Sequence, residues 1–171
     1  FYLFAKHNVG NDSSISEWLI NYQGGFTRRG LGGEIAIFFA KFLTITLRES
    51  IFIIQTFVHI SYLTLVYLYL KNLKLNLIQL FALYTPIFLL YPVAELEALG
   101  RKEALLFLFF ISFLFFSAQK FHKSIINNQV FFIAPLVCLI WEQFVLFFPF
   151  IAVVLIFKND LKNFNDTLKK L

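Results

Sequence analysis

Apolar blocks long enough to cross a lipid bilayer constrain this sequence more than any other feature. Residues 51–70 carry no formal charge, and about 20 apolar residues in a helix span the hydrocarbon core of a membrane. Hydrophobic residues make up 59% of the chain and charged residues 15%, whereas a soluble domain carries roughly a quarter charged residues. No stretch alternates apolar and polar residues over the roughly ten residues of a transmembrane β-strand. The sequence therefore predicts an all-α, polytopic membrane protein.

The apolar blocks predict one transmembrane domain over residues 1–157, with about four to six membrane-embedded helices. Residues 34–48 are short for a span, and an interfacial helix lying along the membrane surface fits them better. Residues 158–171 form a lysine-rich polar tail. Because Phe1 opens an apolar run with no charged region before it, we expect the chain to be a fragment of a longer protein. The predicted spans are residues 51–70, 77–92, 104–118 and 129–157.

The last apolar block allows two arrangements. As a single helix, the 29 residues 129–157 would extend about 43 Å, which exceeds the roughly 30 Å of the hydrocarbon core. The block is either one tilted span or two half-spans that turn near Glu142. The second arrangement leaves the lysine-rich tail in the cytoplasm, which the distribution of basic residues favours.

Basic turns give the predicted orientation. Residues 71–74 and 120–123 contain lysines and no acidic residue, and the positive-inside rule places such turns in the cytoplasm. The polar segment at residues 93–103 then lies on the opposite side. The first polar loop, residues 6–34, lies there too if residues 34–48 do not cross the membrane. Two polar loops, the first of which carries short interfacial helices, are thus predicted to face one non-cytoplasmic compartment.

The first polar loop contains a glycine-dense stretch with paired arginines, GGFTRRGLGGE, at residues 24–34. Glycine lets backbone amides approach a ligand closely, and the planar guanidinium groups of Arg28 and Arg29 suit two-point binding of phosphate. Arg101 and Lys102 of the second polar loop can complete the same anion site. We therefore predict binding of a lipid-linked diphosphate or a phospholipid headgroup. The alternative is that these residues only anchor the loops at the membrane interface.

The net charge of +5 comes from these loops, the basic turns and the tail. In a membrane protein it indicates topology and contact with lipid headgroups rather than binding of nucleic acid.

Asp12 and Glu34 are acidic residues predicted on the same side as the arginines. Sugar transfer needs a base, or a carboxylate that holds a metal ion, beside the acceptor hydroxyl. Asp12 is the best candidate for that role, so a divalent metal ion is possible although no cysteine or histidine ligand spacing occurs. Each residue also has a structural explanation, since Asp12 can cap a helix and Glu34 can favour the positive start of its helix.

Glu142 lies in the middle of an apolar block, where a carboxylate costs at least about 2.5 kcal/mol. Such a residue usually faces the interior of a helix bundle and has a partner, for which His59 or an arginine is a candidate. If the block forms two half-spans, Glu142 only marks the turn. A transporter with Glu142 and His59 as an ion-coupled pair is an alternative function. Polar side chains near His59 predict hydrogen bonds between helices: Gln55, Ser61 and Thr64.

The order of elements resembles that of GT-C-type glycosyltransferases and of bacterial O-antigen and exopolysaccharide polymerases. The strings GFTRRGLGGE at residues 25–34 and GRKE at residues 100–103 are similar to loops in such families, as is the pair Trp141 and Glu142 before a phenylalanine-rich run. The resemblance implies a polyprenyl-phosphate-linked sugar donor, the bacterial inner membrane and a periplasmic active site. It also implies Asp12 as the catalytic base, although no second acidic residue stands beside it. A non-catalytic membrane subunit is the remaining alternative.

Overall fold

The computed structural model describes residues 4, 13–71, 76–78, 81, 100–118 and 123–156, and all regular secondary structure in these ranges is helical. The all-α class predicted from the sequence is therefore confirmed for this part of the chain. The principal helices are α1 (Ser13–Trp18), α2 (Leu31–Leu43), α3 (Leu47–Leu70), α4 (Glu103–Ala118), α5 (Lys123–Asn128) and α6 (Ala134–Ile140). A π-helical turn, Gln129–Ile133, joins α5 to α6, and a 3₁₀ helix, Glu142–Phe147, follows α6.

A left-handed residue and a capping box separate α2 from α3. Thr44 ends α2 with a φ of 53°. Thr46 then starts α3, because its hydroxyl accepts a hydrogen bond from the Glu49 backbone N–H and the Glu49 carboxylate accepts one from the Thr46 N–H. The predicted interfacial helix at residues 34–48 is therefore divided between two helices.

Helix α3 is the one helix in the described ranges that is long and apolar enough to cross a membrane. It packs against α4 and α2. Ile51 of α3 is fully buried with Ile15, Trp18 and Ala36, and Leu105 of α4 packs against this cluster. This small core joins the first polar loop to the start of α4.

The described part of the last apolar block, residues 129–156, is two helical arms rather than one helix. Trp141 is extended, with φ −145° and ψ 100°, and separates α6 from the 3₁₀ helix. Before this break, Gln129 Nε2 donates to the carbonyl oxygen of Phe109 in α4. After the break, the Phe144 ring packs edge-on against Phe109 with 4.9 Å between ring centroids. Because the chain meets the same position of α4 twice, it reverses direction at Trp141.

Several sequence predictions lie outside the described residues. They include most of the span predicted at residues 77–92, the polar segment at 93–99 and the tail at 158–171. Asp12 also lies outside them.

Candidate anion-binding site

The paired arginines meet Glu142 at the turn between the two helical arms. Nη2 of Arg29 donates to Oε1 of Glu142 at 2.8 Å, and Nη1 of Arg28 lies 3.5 Å from Oε2. Both carboxylate oxygens of Glu142 are thus engaged by guanidinium groups. Arg28 is 84% exposed, whereas Arg29 and Glu142 are partly buried. The charged residue that the sequence leaves unexplained is therefore the acidic partner of the first polar loop.

Arg29 has a positive φ of 68°, which is uncommon for a residue other than glycine. Holding such a residue in the left-handed region costs of the order of 1 kcal/mol, and strained residues cluster at functional sites. The conformation directs the Arg29 carbonyl oxygen toward the second polar loop. There it accepts a hydrogen bond from Nζ of Lys102 at 3.2 Å.

Lys102 is almost completely buried, at 1% exposure, and its ammonium group lies 5.9 Å from the centre of the Trp18 ring. The pKa of Lys102 is lowered to about 8, chiefly because burial disfavours the charged form; the carboxylate of Glu17 raises it in part, and the positive charge of Arg29 lowers it. Lys102 is thus a cation whose charge is unfavourable mainly because it is held away from water. An anion bound at this point would relieve that unfavourable charge.

The carbonyl oxygen of Gly100 connects the second polar loop to two helices. It accepts hydrogen bonds from Nε1 of Trp18 in α1 and from Nε2 of Gln55 in α3, both at 2.8 Å. Trp18 and Gln55 are both buried. These two donors fix the position of Gly100, and with it the start of α4 and Lys102.

Two glycines let the first loop fold closely against the chain itself. A Cβ atom added at Gly33 would overlap the carbonyl oxygen of Ile20, and one added at Gly30 would overlap the ring of Tyr22. Gly24 has open space at the corresponding position. Gly30 and Gly33 therefore serve the packing of the loop, whereas the sequence analysis assigned the glycines to ligand approach.

The structure brings together Arg28, Arg29, Lys102 and Glu142 from the predicted site residues. Glu34 lies at the base of the loop, where its Oε1 accepts a hydrogen bond from the Tyr22 backbone N–H at 2.9 Å. Arg101 is partly buried next to Lys102 in the chain.

His59 makes its contact within its own helix. Its Nδ1 lies 2.8 Å from the Gln55 carbonyl oxygen, so the partners of Glu142 are arginines and not His59. Thr64 also bonds to its own helix, through the carbonyl oxygen of Ile60, whereas Gln55 makes the expected bond outside its helix. Within the described ranges, no three histidine, cysteine, aspartate or glutamate residues are grouped to hold a metal ion.

Sequence reasoning missed the Gly100 carbonyl as the point where three segments meet. The available signal was Gln55, a polar side chain in an apolar block, together with a tryptophan at the end of a short helix. The chain matches no protein-family model, no curated protein and no solved structure. The contacts within the site are therefore the basis for a functional proposal.

Proposed function

We propose that the chain is a multi-pass protein of the bacterial inner membrane that transfers or polymerises sugars from a polyprenyl-phosphate-linked donor. In this proposal the reaction takes place at the non-cytoplasmic face, and Arg28, Arg29 and Lys102 hold the donor phosphates. One contact supports it above all others. Nζ of Lys102 lies 3.2 Å from the carbonyl oxygen of Arg29, so cations from two loops separated by 73 positions in sequence share one site.

The outer surface of α3 supports a membrane location. Helix α3 has the length and composition of a membrane span. Its large side chains are exposed: Phe57 by 70%, Tyr67 by 67% and Ile60 by 60%. Each large apolar side chain of this kind gains about 1.5–3 kcal/mol on leaving water. A core helix of a soluble protein would bury these residues, so hydrocarbon is the environment that suits them.

The charges of the site favour a phosphate ligand. Three cationic side chains, those of Arg28, Arg29 and Lys102, stand against two carboxylates: that of Glu142, which pairs with the arginines, and that of Glu17, whose charge acts on Lys102. Positive charge is therefore left over for a diphosphate, and exposed Arg28 is free to turn toward it. Asp12 is the proposed base, as the family resemblance implies, and Arg101 is a further proposed ligand of the phosphates. Among the residues that the structure describes, Glu142 is the carboxylate that pairs with the arginines.

Replacement of the arginine pair tests this function. We expect Arg28→Ala with Arg29→Ala to abolish assembly of the surface glycan in a host that depends on the protein, with normal protein levels in the membrane. Lysine at both positions should retain part of the activity, because charge remains while the two-point geometry is lost. Lys41→Ala removes an exposed cation from α2 and is the matched control. Normal glycan assembly in the alanine pair would end the proposal.

A second candidate, a non-catalytic membrane subunit, is favoured by the ion pairs themselves. Arg28 and Arg29 already have Glu142 as a partner. In this alternative their role is purely structural, and they fix the turn between the two arms. The exchange of charges in Arg29→Glu with Glu142→Arg separates the candidates. Function restored by the exchange indicates a structural ion pair. Function lost in the exchanged protein, with normal folding, indicates that arginine is needed at position 29 to bind an anion.

A further inference from the structure

A cavity of about 560 Å³ lies between α4 and the arm that contains α5 and α6. Its volume falls within the range of about 300–1,000 Å³ that is usual for ligand pockets. The lining is almost entirely apolar. Ser112, Asn128 and Gln129 are the exceptions, and the Gln129 amide donates to the Ser112 hydroxyl and to the Phe109 carbonyl oxygen. The cavity is therefore suited to hydrocarbon.

One end of the cavity lies one helical turn along α4 from Lys102. Leu105 lines the cavity, and its backbone N–H donates to the carbonyl oxygen of Lys102 at 3.0 Å. Val137 also lines it, and its carbonyl oxygen accepts from the N–H of Trp141 at 2.8 Å. Leu105 therefore lies one helical turn after Lys102 on α4, and Val137 lies one turn before Trp141, the residue that precedes Glu142. A ligand can occupy the two regions together.

The other end of the cavity is reached along α4. From Leu105 to Phe116, both of which line it, a helix rises roughly 16 Å. Phe132 and Ile133 line the cavity and are exposed, so it opens on the outer apolar surface. These two residues belong to the π-helical turn, Gln129–Ile133, a feature that is frequent at functional sites. The cavity is accordingly elongated and open to the side.

We infer that this cavity holds the hydrocarbon chain of a lipid whose phosphate group binds at Arg28, Arg29 and Lys102. The phosphate half of this ligand rests on the proposed function. The chain half rests on the apolar lining, the lateral opening and the position of Leu105 one helical turn from Lys102. A single ligand then explains why the cation cluster and the cavity share the same end of α4.

Photocrosslinking in lipid nanodiscs tests the inference. The probe is dodecyl phosphate with a diazirine in the middle of its chain, added to the full chain, and the labelled residues are identified by mass spectrometry. We expect label on Ser112, Phe116 and Ile133. Ser112→Trp fills the cavity and should reduce this label by about tenfold. Leu108→Phe, a smaller change in the same lining, should reduce it to a lesser extent if Ser112→Trp does not fold.

Leu136→Trp is the matched control, because Leu136 is exposed on α6 and does not line the cavity. Label spread over exposed Phe131 and Leu136, and unaffected by Ser112→Trp, would overturn the inference. Dodecanol with the same diazirine separates the two halves of the ligand. Both halves are supported if dodecyl phosphate labels the cavity more strongly than dodecanol does, and if this difference disappears in the variant Arg28→Ala with Arg29→Ala. Equal labelling by both probes would leave the chain in the cavity but overturn the phosphate link and the proposed function.

Discussion

Nη2 of Arg29 donates to Oε1 of Glu142 at 2.8 Å across 113 positions of sequence. This bond joins the first polar loop to the point where the chain reverses between its two helical arms. In the proposed function, Glu142 competes with the donor phosphates for the two guanidinium groups. The same contact therefore stabilises the turn and occupies the positions that a phosphate would take.

We predict that Glu142→Gln tightens phosphate binding severalfold. The amide keeps a hydrogen-bond acceptor for Arg29 but removes the negative charge that competes with the ligand. The measurement is titration of the nanodisc-embedded protein with dodecyl phosphate at low and high salt. Glu49→Gln, which removes a carboxylate from the capping box of α3, is the control and should leave affinity unchanged. Weaker binding in Glu142→Gln would show that the carboxylate supports the site rather than competing for it.

We predict that Lys102→Met stabilises the fold at neutral pH while it weakens phosphate binding. The pKa of Lys102 is lowered from 10.5 to about 8, so the folded protein carries its charge at a disadvantage below pH 8. Between about pH 8 and pH 10.5, Lys102 keeps its proton in the unfolded chain and has released it in the folded protein. The free energy of unfolding therefore rises with pH over this range. At neutral pH, Lys102→Met should raise the free energy of unfolding by about 1–2 kcal/mol when solvent screening is allowed for.

Thermal unfolding of both proteins from about pH 7 to about pH 10 measures this difference. The wild type should approach the stability of Lys102→Met as the pH rises, and Lys71→Met, at an exposed position, should follow the wild type. Parallel curves for wild type and Lys102→Met would contradict a lowered pKa of Lys102.

Sequence reasoning predicted the helical class because apolar blocks and polar loops are local patterns. It also brought Arg28, Arg29 and Lys102 to one site, because charge placed both loops on one side. It left the partner of Glu142 open between His59 and an arginine, and the structure shows the arginines in that place. That choice depends on the reversal at Trp141, which is set by packing of both arms on α4 rather than by any residue near the turn.

We predict that Gly33→Ala destabilises the protein by about 1–3 kcal/mol, the usual cost of overpacking. The added methyl group meets the backbone carbonyl oxygen of Ile20, which cannot turn away as a side chain would. Thermal unfolding measures the loss. Gly24→Ala is the matched control in the same loop, because open space surrounds its Cβ position, and it should be nearly neutral. Equal stability of the two variants would contradict the close packing of α2 on the backbone of Ile20, which follows α1.

The shared carbonyl of Gly100 predicts a non-additive pair of substitutions. Gln55→Leu removes one of its two donors and Trp18→Phe removes the other, so each single variant leaves the carbonyl with a partner. The double variant leaves it buried without one, at an extra cost of about 1–3 kcal/mol. Trp18→Phe also loses packing of the indole ring. This loss is the same whether residue 55 is Gln or Leu, so it cancels in the coupling energy of the double-mutant cycle.

The cycle is measured by thermal unfolding of the wild type, the two single variants and the double variant in nanodiscs. A second cycle pairs Trp18→Phe with Thr64→Val, whose hydroxyl bonds to its own helix at an exposed position, and should be additive. Additivity in the Gln55 cycle would mean that the two donors do not share an acceptor. Because Gly100 positions Lys102, the double variant should also bind dodecyl phosphate more weakly than either single variant. Loss of stability with unchanged binding would show instead that Lys102 holds its place without this carbonyl.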